Sequence, residues 1–124
     1  MPLVRIDSTG TPPELLDRLG LAVHEALVEA IGIPADDHFQ VLTGGASRVV
    51  ADTGYLGIRR DSGAVMIQVV LRGGRTVEQK KAFYAAVAEK AAAIGVEPRN
   101  ILITLIENDL ADWSFGDGIA QYVQ

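Results

Sequence analysis

The first forty residues change from one hydrophobic period to another. Leu3 to Asp7 alternates apolar and polar side chains, which is the pattern of a half-buried strand. Thr11-Pro-Pro-Glu14 then has the composition of a capping box with a proline at the first helical position. The next residues carry one apolar stripe at three- and four-residue spacing: Leu15, Leu19, Ala22, Val23, Ala26 and Ala30. These patterns predict a strand, a helix that ends near Gly32-Ile33-Pro34, and a second strand at His38 to Leu42.

The same order of elements recurs in the second half of the chain. Ala64 to Leu71 has the pattern of an apolar strand, and Thr76 to Gln79 is a second capping box. A helix is predicted from Val77 to Ile94 and ends at Gly95 to Pro98. Ile101 to Ile106 then predicts a final apolar strand, so the β-α-β order of the first half is repeated.

Residues 2–42 and 64–106 are interpreted as a pseudo-repeat in a single domain, followed by a tail at 107–124. Right-handed crossovers make the strands of each unit parallel and allow a four-stranded sheet with two helices on one face. The predicted fold is therefore an α/β two-layer sandwich. The second-half strands are apolar at nearly every position, which indicates that the other face of the sheet is covered too. In so small a chain, we expect other subunits of an oligomer to cover it.

Composition argues against several classes of function. The 124 residues carry a net charge of −5 without a run of Lys or Arg, so nucleic acid is not an expected partner. The chain has no cysteine, and its two histidines, His24 and His38, are too few for a multi-histidine metal site. We therefore expect no metal and no other cofactor. Without a leader pattern or an apolar stretch of about 20 residues, the prediction is a cytoplasmic protein that does not bind membranes.

Pro2 is the first candidate for chemistry. Removal of Met1 is efficient before a small residue and would leave a secondary amine that can donate or accept a proton. An α-amino group has a pKa of about 7.7 to 8.0, which apolar burial lowers and a nearby carboxylate raises. Since Met-Pro starts are also common in proteins without such chemistry, the interpretation of Pro2 depends on its context.

Met1-Pro2 leading directly into a strand of a doubled β-α-β unit resembles the tautomerase superfamily. Gly74 to Lys80 is similar to the loop and helix start of the oxalocrotonate tautomerases in this superfamily. In those enzymes the arginine that corresponds to Arg75 binds a substrate carboxylate. The chain as a whole is more similar to the malonate semialdehyde decarboxylases, most specifically in the run Ala111-Asp112-Trp113-Ser114-Phe115-Gly116. The other matching segments are Gly32 to Asp37, Asp52 to Gly54, Glu78 to Lys80, Phe83-Tyr84 and Glu107-Asn108. The resemblance is nearly end to end, and it implies a homotrimer with three sites.

The resemblance implies that Pro2, Asp37 and Arg75 act on a short carboxylic acid. Arg75 precedes a helix start, where its guanidinium can meet a carboxylate beside the positive end of the helix. Asp37 matches the catalytic aspartate of the family, which would hold Pro2 protonated or activate water. The alternatives are a solvated surface arginine and, for Asp36-Asp37, a polar turn.

Trp113 and Phe115 match the hydrophobic wall of the family, which excludes water from the site. Ordinary packing or subunit contact is the alternative for both. The chain departs from the decarboxylase pattern of two arginines one residue apart, because Gly73 stands two positions before Arg75 and Arg72 is displaced by one. Since side chains alternate along a strand, Arg72 is expected on the other face unless the flanking glycines let the loop adjust. Arg72 remains a candidate substrate-binding residue, and the departure predicts modest decarboxylation.

The favoured function is decarboxylation of a short 3-oxo acid such as malonate semialdehyde, with hydratase activity on unsaturated acids. The sequence is compatible with two mechanisms. In one, protonated Pro2 polarises the carbonyl; in the other, neutral Pro2 forms an iminium with it. Keto-enol tautomerisation of small enol acids is an alternative that needs Pro2 neutral at the working pH. From other classes, a trimeric binding protein without catalysis and a generic α/β module with an accidental Met-Pro start remain open.

Overall fold

The computed structural model describes residues 2–45 and 48–123, and its elements follow the predicted order. The strands are β1 (Leu3–Ser8), β2 (Phe39–Thr43), β3 (Val65–Arg72) and β4 (Ile101–Asn108). The helices are α1 (Pro13–Ala26), which continues into a π-helical turn (Leu27–Ile31), and α2 (Val77–Ala93). Short 3-10 turns lie at Tyr55–Gly57, Pro98–Asn100, Leu110–Asp112 and Gln121–Val123. These elements confirm the doubled β-α-β unit.

The four strands form one mixed sheet in the order β2-β1-β3-β4. β1 and β2 are parallel and so are β3 and β4, as predicted within each unit. The two units join through antiparallel β1 and β3, in a register that places Leu3 opposite Val70. Because of these directions, the starts of β1 and β2 lie at the same edge of the sheet as the ends of β3 and β4. We call it the proline edge, since Pro2 immediately precedes β1.

The hydrophobic core lies between one face of the sheet and the two helices. Every second residue of β1 and β3 is buried on this face, as the alternation in the sequence indicates. The largest fully buried core side chains of the strands and helices include Ile6, Ile67, Leu19 and Phe83. The structure is therefore the predicted two-layer sandwich.

The second face of the sheet is open to solvent in the single chain, and we call it the open face. Its apolar side chains remain 38% to 47% exposed at Leu3, Phe39, Val41, Leu102 and Ile106. The sequence predicts that this face is covered, but one chain supplies helices for only one face. Within the described ranges, no helix is long and apolar enough to span a membrane.

The predicted element ends differ from the structure in small ways. The capping box predicted at Thr11 is wrong, because the helix begins after Pro12 without a side-chain cap, and the Thr11 hydroxyl hydrogen-bonds Ser8 at 2.6 Å instead. The capping box at Thr76 is confirmed, with reciprocal bonds between Thr76 and Gln79. β2 begins at Phe39 rather than His38, and β3 and β4 extend one and two residues beyond their predicted ends.

Candidate active site

The topology brings every predicted site residue to the proline edge. Pro2 immediately precedes β1, and Asp37 lies two residues before β2. Arg72 is the last residue of β3, and Arg75 lies in the loop that leads into α2. The segment that contains Trp113 and Phe115 follows the end of β4. Residues that are far apart in the sequence thus share one end of the sheet.

Pro2 is fully buried. Because buried residues alternate along β1, Pro2 lies on the helix side of the sheet, in line with Val4 and Ile6. One residue beyond the Leu3 and Val70 pair, its neighbour on β3 is the buried Leu71. Pro2 therefore occupies an apolar position at the edge, and Met1 lies outside the described residues.

Arg72 and Arg75 occupy different positions at the end of β3. Leu71 is buried and Arg72 is exposed, so alternation places Arg72 on the open face, as expected from its displacement by one position. Arg75 is half-buried, and its Nη1 donates to the carbonyl oxygen of Arg72 at 3.0 Å. Burial, and then the nearby charge of Arg72, lower the pKa of Arg75, while Glu107 opposes that shift. The Arg75 guanidinium is thereby held against the end of the strand.

An aromatic cluster, made of Phe39, Trp113, Phe115 and Tyr122, lies at the same end of the sheet, near Arg72. Trp113 stacks on Phe115 with ring centroids 5.5 Å apart and a 6° angle between the planes. Phe115 also contacts Phe39 at 5.7 Å and Tyr122 at 5.1 Å. Since Phe39 is the first residue of β2 and pairs with Leu3, the cluster covers the open face near the proline edge.

Asn108 connects the aromatic cluster to the strands. Trp113 Nε1 donates to Asn108 Oδ1 at 2.8 Å, and Asn108 pairs with Arg72 across β3 and β4. A reciprocal cap between Asp109 and Asp112 fixes the turn that carries Trp113. The tail is therefore ordered by specific bonds, although it has little helix or strand pattern.

Asp37 lies in a turn that two histidines support. Asp37 is half-buried, its backbone N–H donates to Pro34 at 3.1 Å, and its neighbour Asp36 is exposed. His24 Nε2 donates to the Ala35 carbonyl oxygen at 2.8 Å. The His24 ring also stacks on His38, with centroids 4.1 Å apart. Sequence reasoning assigned neither histidine a role, and the structure shows that they brace the segment before β2.

A charged pair that sequence reasoning missed joins the start of α2 to the end of β4, next to the loop between β3 and α2. Lys80, in the first turns of α2, forms an ion pair with Glu107 near the end of β4. That hydrogen bond is the main reason that the pKa of Glu107 is lowered, and the backbone N–H of Gly74 contributes to the same shift. Both residues lie in segments that resemble the decarboxylases, but their contact joins two elements and leaves no local pattern.

Phe39, Asn108 and Tyr122 are the other residues that the sequence interpretation missed. Phe39 and Asn108 could have been found by extending the strand alternation to the open face, where they pair with Leu3 and Arg72. Tyr122 has no such pattern. Among the described residues, no group of three or more His, Asp or Glu side chains is placed to hold a metal ion.

Two family models match the chain. A model described as tautomerase enzyme covers residues 37–116, and a second model of the same description covers residues 2–44. A probable tautomerase of Bacillus subtilis (strain 168), YusQ, is 35% identical over 127 residues and covers 100% of both chains. Together the matches extend over both halves of the pseudo-repeat.

Two solved structures are similar along nearly the whole chain. FG41 malonate semialdehyde decarboxylase inhibited by 3-bromopropiolate superimposes with a TM-score of 0.91 at 44% identity, covering 98% of this chain and 94% of that one. A malonate semialdehyde decarboxylase described with decarboxylase and hydratase activities has a TM-score of 0.84 at 35% identity, covering 98% and 95%. The fold is therefore that of these enzymes.

Proposed function

Because the chain belongs to the tautomerase family, we propose that it decarboxylates a short 3-oxo acid with the amine of Pro2, which is freed when Met1 is removed. The same site would hydrate short unsaturated acids. The observation that carries the proposal is the convergence of Pro2, Asp37 and Arg75 at one edge of the sheet. The similarity to two malonate semialdehyde decarboxylases supports this choice of substrate.

Substrate binding begins at Arg75. Its Nη1 is engaged by the Arg72 carbonyl, and no other hydrogen bond to a described residue uses the guanidinium, so its remaining N–H groups can meet a carboxylate. Trp113 and Phe115 form an apolar surface near Arg72 at the same edge, which would shield the reacting atoms from water. A three-carbon acid held in this way presents its carbonyl to the amine of Pro2.

In the decarboxylation, the bond between the carboxylate carbon and the α-carbon breaks, and its electron pair moves toward the carbonyl. Protonated Pro2 accepts that charge by donating a hydrogen bond to the carbonyl oxygen. Neutral Pro2 would instead form an iminium with the carbonyl carbon and release the oxygen as water, and the iminium then accepts the electron pair to become an enamine. Carbon dioxide leaves, and a proton adds to the α-carbon; this completes the aldehyde in the first route, whereas in the iminium route water must then hydrolyse the iminium to release the aldehyde and free Pro2. Asp37 stabilises the cationic state of the amine in both routes.

In the proposed hydration, Asp37 and Pro2 act on water and an unsaturated acid instead of on a 3-oxo acid. Asp37 takes a proton from water, which adds to the β-carbon of an unsaturated acid, and protonated Pro2 delivers a proton to the α-carbon.

The second candidate function is keto-enol tautomerisation. The apolar position of Pro2 favours it, because burial stabilises the neutral amine that this reaction needs as a base.

We also propose that the working form is a homotrimer. The open face leaves five large apolar side chains between 38% and 47% exposed, and such a surface is typical of a subunit interface. The resemblance to the tautomerase superfamily implies three copies around an axis. A native mass spectrum would show the trimer, whereas a monomer at micromolar concentration would contradict this assembly.

The test of the function compares the wild-type protein with Pro2→Ala on malonate semialdehyde, 3-bromopropiolate and an enol acid. The predicted result is turnover of malonate semialdehyde by the wild type and a loss of at least about 100-fold in Pro2→Ala, since general acid-base groups contribute about 10²–10⁴-fold. Pro98→Ala is the matched control, because Pro98 precedes β4 at the opposite edge. Equal activity of Pro2→Ala and the wild type would show that the proposed role of the amine is wrong.

A further inference from the structure

We propose that Glu107 is a specificity-determining residue that restricts the site to acids with a single carboxylate. This inference rests on the proposed function, since it concerns the same substrate site. It follows from the arrangement of Glu107, Lys80 and the Gly73-Gly74 pair at the proline edge.

The side chain of Glu107 lies directly over the loop that carries Arg75. Glu107 pairs with Leu71 across β4 and β3, so the Gly73-Gly74 turn begins beside it. Two groups hold its carboxylate, namely the Lys80 ammonium and the backbone N–H of Gly74. The charge of Glu107 also raises the pKa of Arg75, against the lowering by burial and by Arg72, so the carboxylate lies near the guanidinium proposed to bind substrate.

The absence of a side chain at Gly73 leaves the space that the Glu107 carboxylate occupies. A Cβ placed on Gly73 would lie 2.7 Å from Glu107 Oε2, which is closer than real Cβ contacts allow. A side chain at residue 73 would therefore require the Glu107 carboxylate to shift from its present position beside the loop. Where the decarboxylase pattern has a first arginine, this chain instead has a glycine beneath a carboxylate.

The replacement of that first arginine by Gly73, with the Glu107 carboxylate above it, changes the charge that a ligand meets. Glu107 neutralises Lys80, and among the described residues Arg72 and Arg75 are the cations that flank the Gly73-Gly74 turn. A short acid with a neutral carbonyl or double bond at its far end meets no opposing charge. A dicarboxylate of equal length places a second negative group toward Glu107, and such like-charge contacts reject the wrong ligand. The predicted substrates are therefore monoanions.

The test measures binding of two unreactive acids of equal length, malonate as the dianion and 3-hydroxypropionate as the monoanion. Trp113 is the only tryptophan and lies at the site, so its fluorescence reports binding. Glu107→Gln leaves Lys80 unpaired, and we expect malonate to bind about tenfold more tightly while 3-hydroxypropionate gains about threefold or less. Lys80→Ala leaves Glu107 unpaired and is expected to weaken malonate binding severalfold.

Glu29→Gln is the matched control, because Glu29 forms a similar pair with Lys90 at 3.1 Å on the helical layer. It should change neither affinity. Unfolding curves of each variant identify a loss of the fold, and the opposite shifts of Glu107→Gln and Lys80→Ala would not arise from a structural defect alone. An unchanged ratio of the two affinities in Glu107→Gln would overturn the inference and leave the proposed function standing. Failure of wild-type protein to bind either acid would contradict the carboxylate site and therefore both proposals.

Discussion

Replacement of Arg75 by lysine separates the geometry of a guanidinium from its charge. The variant keeps a cation at the start of α2 but replaces a planar fork of donors by a single ammonium. In the structure, Arg75 Nη1 is already bonded to the Arg72 carbonyl, so the guanidinium approaches the edge in a fixed orientation. A lysine cannot bond that carbonyl and still offer two parallel N–H groups to a carboxylate.

The magnitude follows from the hydrogen bonds that are lost. A bidentate contact uses two charge-assisted bonds, and a hydrogen bond to a charged group contributes about 1.5–3 kcal/mol. If lysine keeps the charge and one bond, the loss of the other weakens carboxylate binding about 10- to 150-fold, at about 1.4 kcal/mol per factor of ten. The effect is expected mainly in KM, because the carboxylate is bound before and during the reaction.

The assay follows the binding of 3-hydroxypropionate by Trp113 fluorescence and measures kcat and KM for malonate semialdehyde. Arg72→Lys is expected to lose less than about threefold, since Arg72 lies on the open face and contributes by charge. Arg99→Lys, near the start of β4 at the opposite edge, is the control for the substitution itself. The assignment of Arg75 would be refuted by unchanged binding in Arg75→Lys together with a large loss in Arg72→Lys.

Three further predictions concern the framework of the site. Thr76→Ala removes the cap that accepts the Gln79 N–H at 3.1 Å, and urea unfolding should show a loss of about 1 kcal/mol. Asn100→Ala removes two bonds to Asp61, at 3.0 and 2.8 Å, from a buried side chain, so a loss of about 1–3 kcal/mol is expected in the same measurement. The pKa of Glu107 is lowered, chiefly by Lys80, so its stabilisation is present above the unfolded-state pKa and is lost as the pH falls through the lower folded-state pKa. Glu107→Gln should therefore be less stable than the wild type near pH 7, and the difference should vanish in acid; a difference that does not change with pH would contradict this origin.

The period of the hydrophobic pattern was sufficient to predict the layers of the fold. The alternation along β1 and the stripe along α1 each reflect a single element facing a core, so they are visible locally. The face on which Arg72 lies also follows from the local sequence, because the alternation along the strand predicts the open face for it. Its role in binding stays a prediction.

Local patterns failed where two elements compete for one group. Thr11 has the composition of a helix cap, but its hydroxyl bonds the buried Ser8 at the end of β1. His38 has a strand neighbour on one side, yet it stacks on His24 of α1 and remains outside β2. The bond between Ser8 and Thr11 is local, since the two residues are three positions apart, whereas the stacking of His38 on His24 joins two elements. Neither contact follows from the hydrophobic pattern that predicted the element ends.

The parts of the site that were missed depend on long-range contacts. Tyr122 meets Phe115, which in turn meets Phe39 on a strand from the first half of the chain. Likewise, the position of Glu107 over Gly73 depends on the pairing of β3 with β4 and on the reach of Lys80 from α2. Such groups come together only through the sheet, so the sequence indicated Pro2, Asp37 and Arg75 as candidates but not the other residues at the same edge.

The proposed acid-base role of Pro2 is tested most directly by a proton titration of its amine. Protein labelled with ¹⁵N at proline, with removal of Met1 verified by mass, is followed by NMR across the pH range in which turnover of malonate semialdehyde is measured. We expect a free Pro2 amine whose titration midpoint coincides with a limb of the profile of kcat/KM against pH. A retained Met1, or turnover whose pH profile is the same in Pro2→Ala as in the wild type, would contradict it.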